Sequence, residues 1–291
     1  MNKLNNLFNH FKKGTIAERI RYQFSGLKKW EDMKSGKKSY VIHRLSAKSK
    51  IKLYPNSYLS YLILKGDFEN NELNLIRKFI QPSDVFLDIG ANIGLFSILA
   101  EEKKCSTWAI EPTPDTYQRL RENLALNKLK SAQIFNYALS DKNGEAILNI
   151  SENGMDAWNN ISEMEQSEIG FKKVTIKTVT LDYFITEQKI PTEKPVFIKM
   201  DVEGWELNVL KGGEKYLTKH SPVLLIEFND ENFSKNNYSG TELISYMNSL
   251  GYIFFEFSNE KLVPHSTIPK YEYTNLVAVK DPTILSHRGV L

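Results

Sequence analysis

The sequence predicts an α/β fold in which a mostly parallel sheet carries helices on both faces, preceded by a basic helical arm and a small β-meander. Three observations carry this reading. From Val85 onward, apolar strand-like runs alternate with helical runs across short connections, the pattern of a sheet wound with helices. At the head of that alternation, Val85-Phe86-Leu87-Asp88-Ile89 passes through Gly90-Ala91-Asn92-Ile93-Gly94 into Leu95–Ala100, which reads as a buried strand, a tight turn and a helix. Composition is ordinary globular, with 41% hydrophobic and 25% charged residues in 291, enough chain for a sizeable core.

Composition also excludes. Cys105 is the single cysteine, so no intrachain disulfide and no cysteine-based zinc site can form, and a reducing cytoplasmic setting is expected. No apolar run approaches the ~18 residues of a membrane-spanning helix, and the first 30 residues lack a signal-peptide core. Charge is uneven: residues 1–50 hold 13 Lys/Arg against three acids, a net of +10 within an overall +3. Such an arm suits an anionic surface, including the inner face of a membrane, or serves only as a solvated helix.

The elements follow in order. Leu4, Leu7, Phe8 and Phe11 form a helical stripe flanked by Lys3, Lys12 and Lys13. It can lie on a bilayer as a peripheral contact, but packing on its own protein or on a twin subunit in a homodimer is favoured. Tyr40–Arg44, Ile51–Tyr54 and Tyr58–Leu64 read as three short strands broken by Pro55-Asn56, giving a unit over 1–67 ahead of a main domain over 68–291. Asn71–Ile80 is amphipathic and helical. Strands are expected at 85–89, 106–111, 133–138, 196–201, 223–228, 252–257 and 275–280, the last two as an antiparallel hairpin closing one edge. An excursion at 141–180 contains two alternating strands joined by Ser151–Gly170, a polar connection long enough to act as a lid or binding loop.

Chemistry concentrates at the strand ends. A dinucleotide fingerprint needs three glycines, the second so that backbone can approach a pyrophosphate. Here Asn92 replaces it, and Asp88 adds negative charge where a pyrophosphate would be repelled and an ammonium welcome. S-adenosylmethionine, with an adenosine, a cationic amine and no phosphate, fits better than NAD. Glu111 closes the next strand, 21 residues beyond Gly90, where an acid can accept from ribose hydroxyls. Ala138-Leu139-Ser140 lie where adenine would sit. Asp201-Val202-Glu203-Gly204-Trp205-Glu206 places carboxylates beside the crevice in which open α/β sheets bind ligands; they can hold an ammonium, take a proton or ligate a cation. Helix-dipole charging alone accounts for Glu203 or Glu206, though less well for strand-terminal Asp201. Asp201 and Glu227 end successive strands and are weak candidates for a divalent metal, which is not favoured. The five histidines show no ligand spacing. Trp158 and Tyr238, in long loops, are candidates to stack on a sugar ring.

Together, Asp88–Gly94, Ile110-Glu111-Pro112, Ala138–Asp141, Thr180-Leu181-Asp182 and Ile198–Glu206 resemble the FkbM family of S-adenosylmethionine-dependent methyltransferases, over about residues 68–257. The resemblance implies a Rossmann-like class I methyltransferase fold with a seven-stranded sheet, and methyl transfer, usually to oxygen, onto a sugar or other small-molecule or glycan acceptor. It implies that Asp88, Gly90, Asn92 and Gly94 cradle the methionine part of the cofactor. Glu111 would bind the ribose and Ala138-Leu139 flank adenine. Asp201 would lie near the methyl donor, with Asp201 or Glu203 as the catalytic base. Rival readings are an NAD-dependent oxidoreductase, a nucleic-acid methyltransferase and a non-catalytic cofactor-binding protein. The first conflicts with Asn92, and the second with acids that repel phosphate.

Overall fold

A computed structural model of the chain describes residues 16–66, 68–129, 131–151, 160–161, 171–259 and 261–291. The Leu4–Phe11 stripe and most of the 151–170 connection, with Met155 and Trp158, lie outside the described residues. Among the described residues no helix is long and apolar enough to cross a membrane.

The N-terminal elements are a helix α1 (Ile16–Lys34), an antiparallel hairpin of β1 (Val41–Arg44) and β2 (Lys50–Leu53), and helices α2 (Tyr58–Lys65) and α3 (Asn70–Phe79). Segment α2 is a helix where the sequence reads as a third strand. The Ser57 side chain caps its start by accepting from Ser60 N–H, and Gly66 ends it in the left-handed conformation. With both ends capped, burying Leu59, Ile63 and Leu64 on one helical face outweighs the β-propensity of its tyrosines.

The main sheet takes β3 (Val85–Ile89), β4 (Ser106–Ile110), β5 (Gln133–Phe135), β10 (Val196–Met200), β11 (Val223–Phe228), β12 (Ile253–Ser258), β13 (Lys261–Pro264) and β14 (Thr274–Val279). Their order is β13-β12-β14-β11-β10-β3-β4-β5, parallel from β11 to β5 and antiparallel from β14 outward. The seven expected strands are all present, and β13 is an eighth. The final strand does not form the edge hairpin: β14 inserts between β11 and β12, and the hairpin partner of β12 is β13. Strands β3, β10 and β11 are buried along their whole length because helices cover both sheet faces, which is why they read as apolar runs interrupted only by Asp88, Lys199 and Glu227 near their C-terminal ends. Alternate residues feed two cores, Val85, Leu87 and Ile89 on one side and Phe86 on the other, where Met33, Ile51, Leu53 and Leu59 from the N-terminal elements join it.

Helices α4 (Leu95–Glu102), α5 (Pro114–Leu126), α6 (Leu181–Glu187), α7 (Glu206–Gly212), α8 (Glu214–His220), α9 (Asp230–Ser234), α10 (Gly240–Ser249) and α11 (Thr283–His287) complete the fold. The expected strand 133–138 breaks after Phe135, and Ala138–Ser140 starts again as β6 in a second sheet. That sheet has the order β6-β9-β7-β8, from β7 (Gly144–Ser151), β8 (Asn160–Ile161) and β9 (Phe171–Thr180).

Candidate active site

The turn after β3 is built by backbone crowding. Gly90 has φ +78, and a Cβ there would sit 1.8 Å from the Asp201 carbonyl oxygen. Gly94 has φ +89, with its missing Cβ 2.5 Å from Leu120 Cδ1 on α5. Both glycines therefore serve chain-to-chain approach. Gly90 N–H and Ala91 N–H donate to the Ile110 carbonyl at 3.0 and 2.9 Å, and Gly94 N–H donates to the Ala91 carbonyl at 2.9 Å. Asn92 N–H, on a residue at φ 48, donates to Glu111 Oε2 at 3.0 Å.

Most backbone donors of this loop are thus spent inside the protein, so it cannot wrap a pyrophosphate as a dinucleotide loop does. It offers acceptors instead. Asn92 Oδ1 is buried without a hydrogen-bond partner among the described residues, and it suits an ammonium. Glu111 also accepts from Thr113 N–H at 2.8 Å, keeps spare lone pairs toward the cleft, and is pushed up to about 7 by burial. Ala138 and Leu139 line the same cleft. Asp88 does not line it. This residue is fully buried behind the turn, accepts from Ser97 Oγ at 2.5 Å, and is raised by burial. Its expected place in the cradle is corrected to a support beneath it.

The acidic end is set by β10 and the turn that follows. Lys199 Nζ donates to Asp201 Oδ2 at 3.0 Å and to the Gly90 carbonyl at 3.3 Å, so it ties together the ends of the neighbouring parallel strands β3 and β10. Glu203 (φ 54) and Gly204 (φ 98) are consecutive left-handed residues. Glu206 holds that turn by accepting from Val202 N–H at 2.9 Å and Gly204 N–H at 3.0 Å, with Tyr238 Oη 3.3 Å away. The Asp-Val-Glu-Gly-Trp-Glu run is therefore a self-locking turn: Gly204 is required by its φ and by the Asn232 carbonyl 2.6 Å from its missing Cβ. Glu203 accepts from Asn232 Nδ2 at 2.8 Å.

Asp201, Glu203 and Glu227 each bring an oxygen within 4.8 Å of the others. Burial pushes the Asp201 carboxyl up, but Lys199 and a hydrogen bond from Glu227 outweigh it, and Asp201 stays below its ordinary range. Burial and then Asp201 hold both Glu203 and Glu227 well above theirs. Lys199 thus favours charge on Asp201, and Asp201 in turn disfavours charge on Glu203 and Glu227.

One cleft of about 1000 Å³ joins the two ends, running from Glu111 and Leu139 past Gly90 and Asn92 to Asp201, Glu203 and Glu227. The structure thus brings Gly90, Asn92, Glu111, Ala138, Leu139, Asp201, Glu203 and Glu227 to one cavity, and leaves Asp88 and Gly94 behind its wall. Tyr238 is no sugar platform: it is 8% exposed, stacks on Phe233 at 4.7 Å and donates to the Gly204 carbonyl. Lys199, Asn232, Glu69 and Tyr273 were missed from sequence. A lysine inside the apolar run Val-Phe-Ile-Lys-Met was a signal for the first; the others carried none.

The Methyltransferase FkbM domain matches residues 88–254, more than half of the chain. The chain belongs to the FkbM methyltransferase family. Its fold is the class I methyltransferase fold of that family, with the sheet order given above. Hexuronic acid methyltransferase AglP of Haloferax volcanii is 33% identical over 145 residues, covering 50% of this chain and 56% of AglP. The 2-O-methyltransferase NoeI of Sinorhizobium fredii is 30% identical over 164 residues, covering 52% of this chain and 65% of NoeI. This FkbM-family chain thus spans less than two thirds of either relative. A solved FkbM methyltransferase from Methylobacillus flagellatus aligns over 88% of this chain and 59% of its own, at 16% identity and a TM-score of 0.41.

Proposed function

We propose that the protein transfers a methyl group from S-adenosylmethionine to a hydroxyl of a saccharide acceptor. The observation that carries the reading is the single cleft joining an acceptor-rich, phosphate-averse cradle at Asn92 and Glu111 to a carboxylate cluster at Asp201, Glu203 and Glu227. The names of the relatives, one a hexuronic acid methyltransferase and one a 2-O-methyltransferase, support sugar oxygen as the acceptor.

When bound, the cofactor supplies a methyl group on a sulfonium, already activated for in-line displacement. On this reading Glu111 accepts from the ribose hydroxyls, Ala138 and Leu139 flank the adenine, and Asn92 Oδ1 with Asp201 faces the cationic methionine end. The chain then has to place the acceptor oxygen, exclude water and receive a proton. Placement supplies ~7–11 kcal/mol and a general base a further ~10²–10⁴-fold. Glu203 is the better base of the two acids. Asp201 is engaged by Lys199 and Glu227, which lower its basicity, whereas Glu203 has a raised proton affinity and is aimed by Asn232.

Calorimetry with S-adenosylhomocysteine and NAD tests the cofactor: tight binding of the first and none of the second is expected, and the reverse would remove the reading. Incubation with methyl-labelled cofactor and glycan, lipid and nucleic-acid fractions tests the acceptor. Label confined to nucleic acid would overturn the sugar.

A further inference from the structure

The cleft continues past Asp201 to a wall whose residues come partly from outside the matched 88–254 stretch. Glu69, just ahead of α3 and itself left-handed (φ 40), accepts from Tyr273 Oη at 3.1 Å. Beside it, Asn275 Nδ2 donates to Glu72 Oε1 at 3.1 Å. On the same wall Tyr58 and Tyr61 stack at 6.0 Å, and Tyr58 is 39% exposed, a flat face suited to a sugar ring.

The acids at this end, Glu69, Glu72, Asp201, Glu203, Glu227 and Glu231, outnumber the lysines among the described lining residues, Lys65, Lys199 and Lys235. Lys199, the one at the centre, is already given to Asp201. We propose that this end of the cleft selects a saccharide bearing a free amine, with Glu69 as the carboxylate that faces it, and disfavours one bearing a carboxylate. The inference rests on the methyl-transfer reading and specifies its acceptor.

Electrostatics supports the geometry. Burial and then Glu72 push Glu69 up to about 8; Lys199 pulls the other way but does not outweigh them, so Glu69 lacks a cation of its own. An ammonium supplies that charge and favours an ionised Glu69 against it, while a uronate sets a further negative group beside carboxyls whose surroundings already disfavour charge. A divalent cation is not the same solution. The three carboxylates that could share one are Asp201, Glu203 and Glu227, and Glu69 stands apart from them, bonded to Tyr273.

The test uses the full chain saturated with S-adenosylhomocysteine, titrated with methyl glucosaminide, methyl glucoside and methyl glucuronide, each with and without Mg²⁺. The glucosaminide is expected to bind at least about tenfold more tightly than the glucuronide. Glu69→Gln should shrink that ratio to about twofold, and Tyr273→Phe, which keeps the wall but leaves Glu69 only the longer Asn275 hydrogen bond, should move it in a smaller step. Equal or tighter binding of the glucuronide in either buffer, an unchanged ratio in Glu69→Gln, or no binding of any probe would overturn the proposal. Failure to bind S-adenosylhomocysteine at the outset would instead strike the cofactor reading.

Discussion

The Lys199 ammonium lies 3.0 Å from the Asp201 carboxylate, two residues along the same strand end, where both side chains fall on one face of the sheet. Their side chains are 7% and 22% exposed, so the pair works largely out of water. Breaking such a pair leaves a buried charge without its partner, which costs roughly 3–5 kcal/mol. Lys199→Met is therefore expected to lower unfolding free energy by about that much in urea titrations. A loss below ~1 kcal/mol would show that Asp201 finds another cation.

The same pairing divides labour between the acids. Glu203→Gln is expected to reduce kcat by ~10²–10⁴-fold, the worth of a general base, while S-adenosylhomocysteine affinity changes little. Single-turnover rates with saturating acceptor measure this. A fall of less than about tenfold would move the base elsewhere.

Glycine requirements differ in kind. Gly36 and Gly90 have φ +75 and +78, yet nothing lies within 4 Å of a Cβ at Gly36, whereas one at Gly90 meets the Asp201 carbonyl. Gly36→Ala should cost only left-handed strain, about 1–2 kcal/mol. Gly90→Ala adds a backbone collision and is expected to prevent folding or to cost more than about 3 kcal/mol. Thermal melts of the two variants make the comparison.

Stability should fall as the ligand-free protein is taken from acid to neutral pH. Glu111 and Glu206 are both raised from 4.5 to about 7, chiefly by burial. A raised folded value means that the native state holds the proton more tightly. The stabilisation is therefore complete below about pH 4.5 and lost as pH rises through about 7, on the order of a few kcal/mol. Melting temperatures at pH 5 should exceed those at pH 8. The opposite order would mean that these carboxylates are ionised in the native state.

Lys199 already supplies positive charge to Asp201. Methyl transfer is accordingly expected to survive dialysis against a strong chelator with less than about twofold change, and Mg²⁺ should not raise it. A large loss restored by Mg²⁺ would assign the carboxylate trio to a metal.

Much of this was legible in the sequence because the signals are local. Apolar runs with a single charged residue near the end marked β3, β10 and β11, and the Asp-Val-Glu-Gly run marked the acidic turn, since its own Glu206 closes it. What escaped detection depends on distant partners. Tyr58–Lys65 has strand-like composition but is decided by the caps at Ser57 and Gly66. Asp88 looks like a ligand residue until Ser97 takes it into the core. Tyr238 looks like a loop aromatic until Phe233 and Gly204 claim it. Glu69 reaches the cleft only through the return of Tyr273 more than two hundred residues later.

Asn123 on α5 is fully buried, and its amide accepts from Lys52 N–H at 2.6 Å while donating to the Ile93 carbonyl at 2.9 Å. One side chain thus stitches the N-terminal hairpin to the loop that carries Asn92. Grafting the 88–254 stretch of a relative into this chain would set a foreign α5 against a native hairpin and misplace that loop. Transplants between family members therefore have to move the hairpin together with the matched stretch, as a single inheritable block.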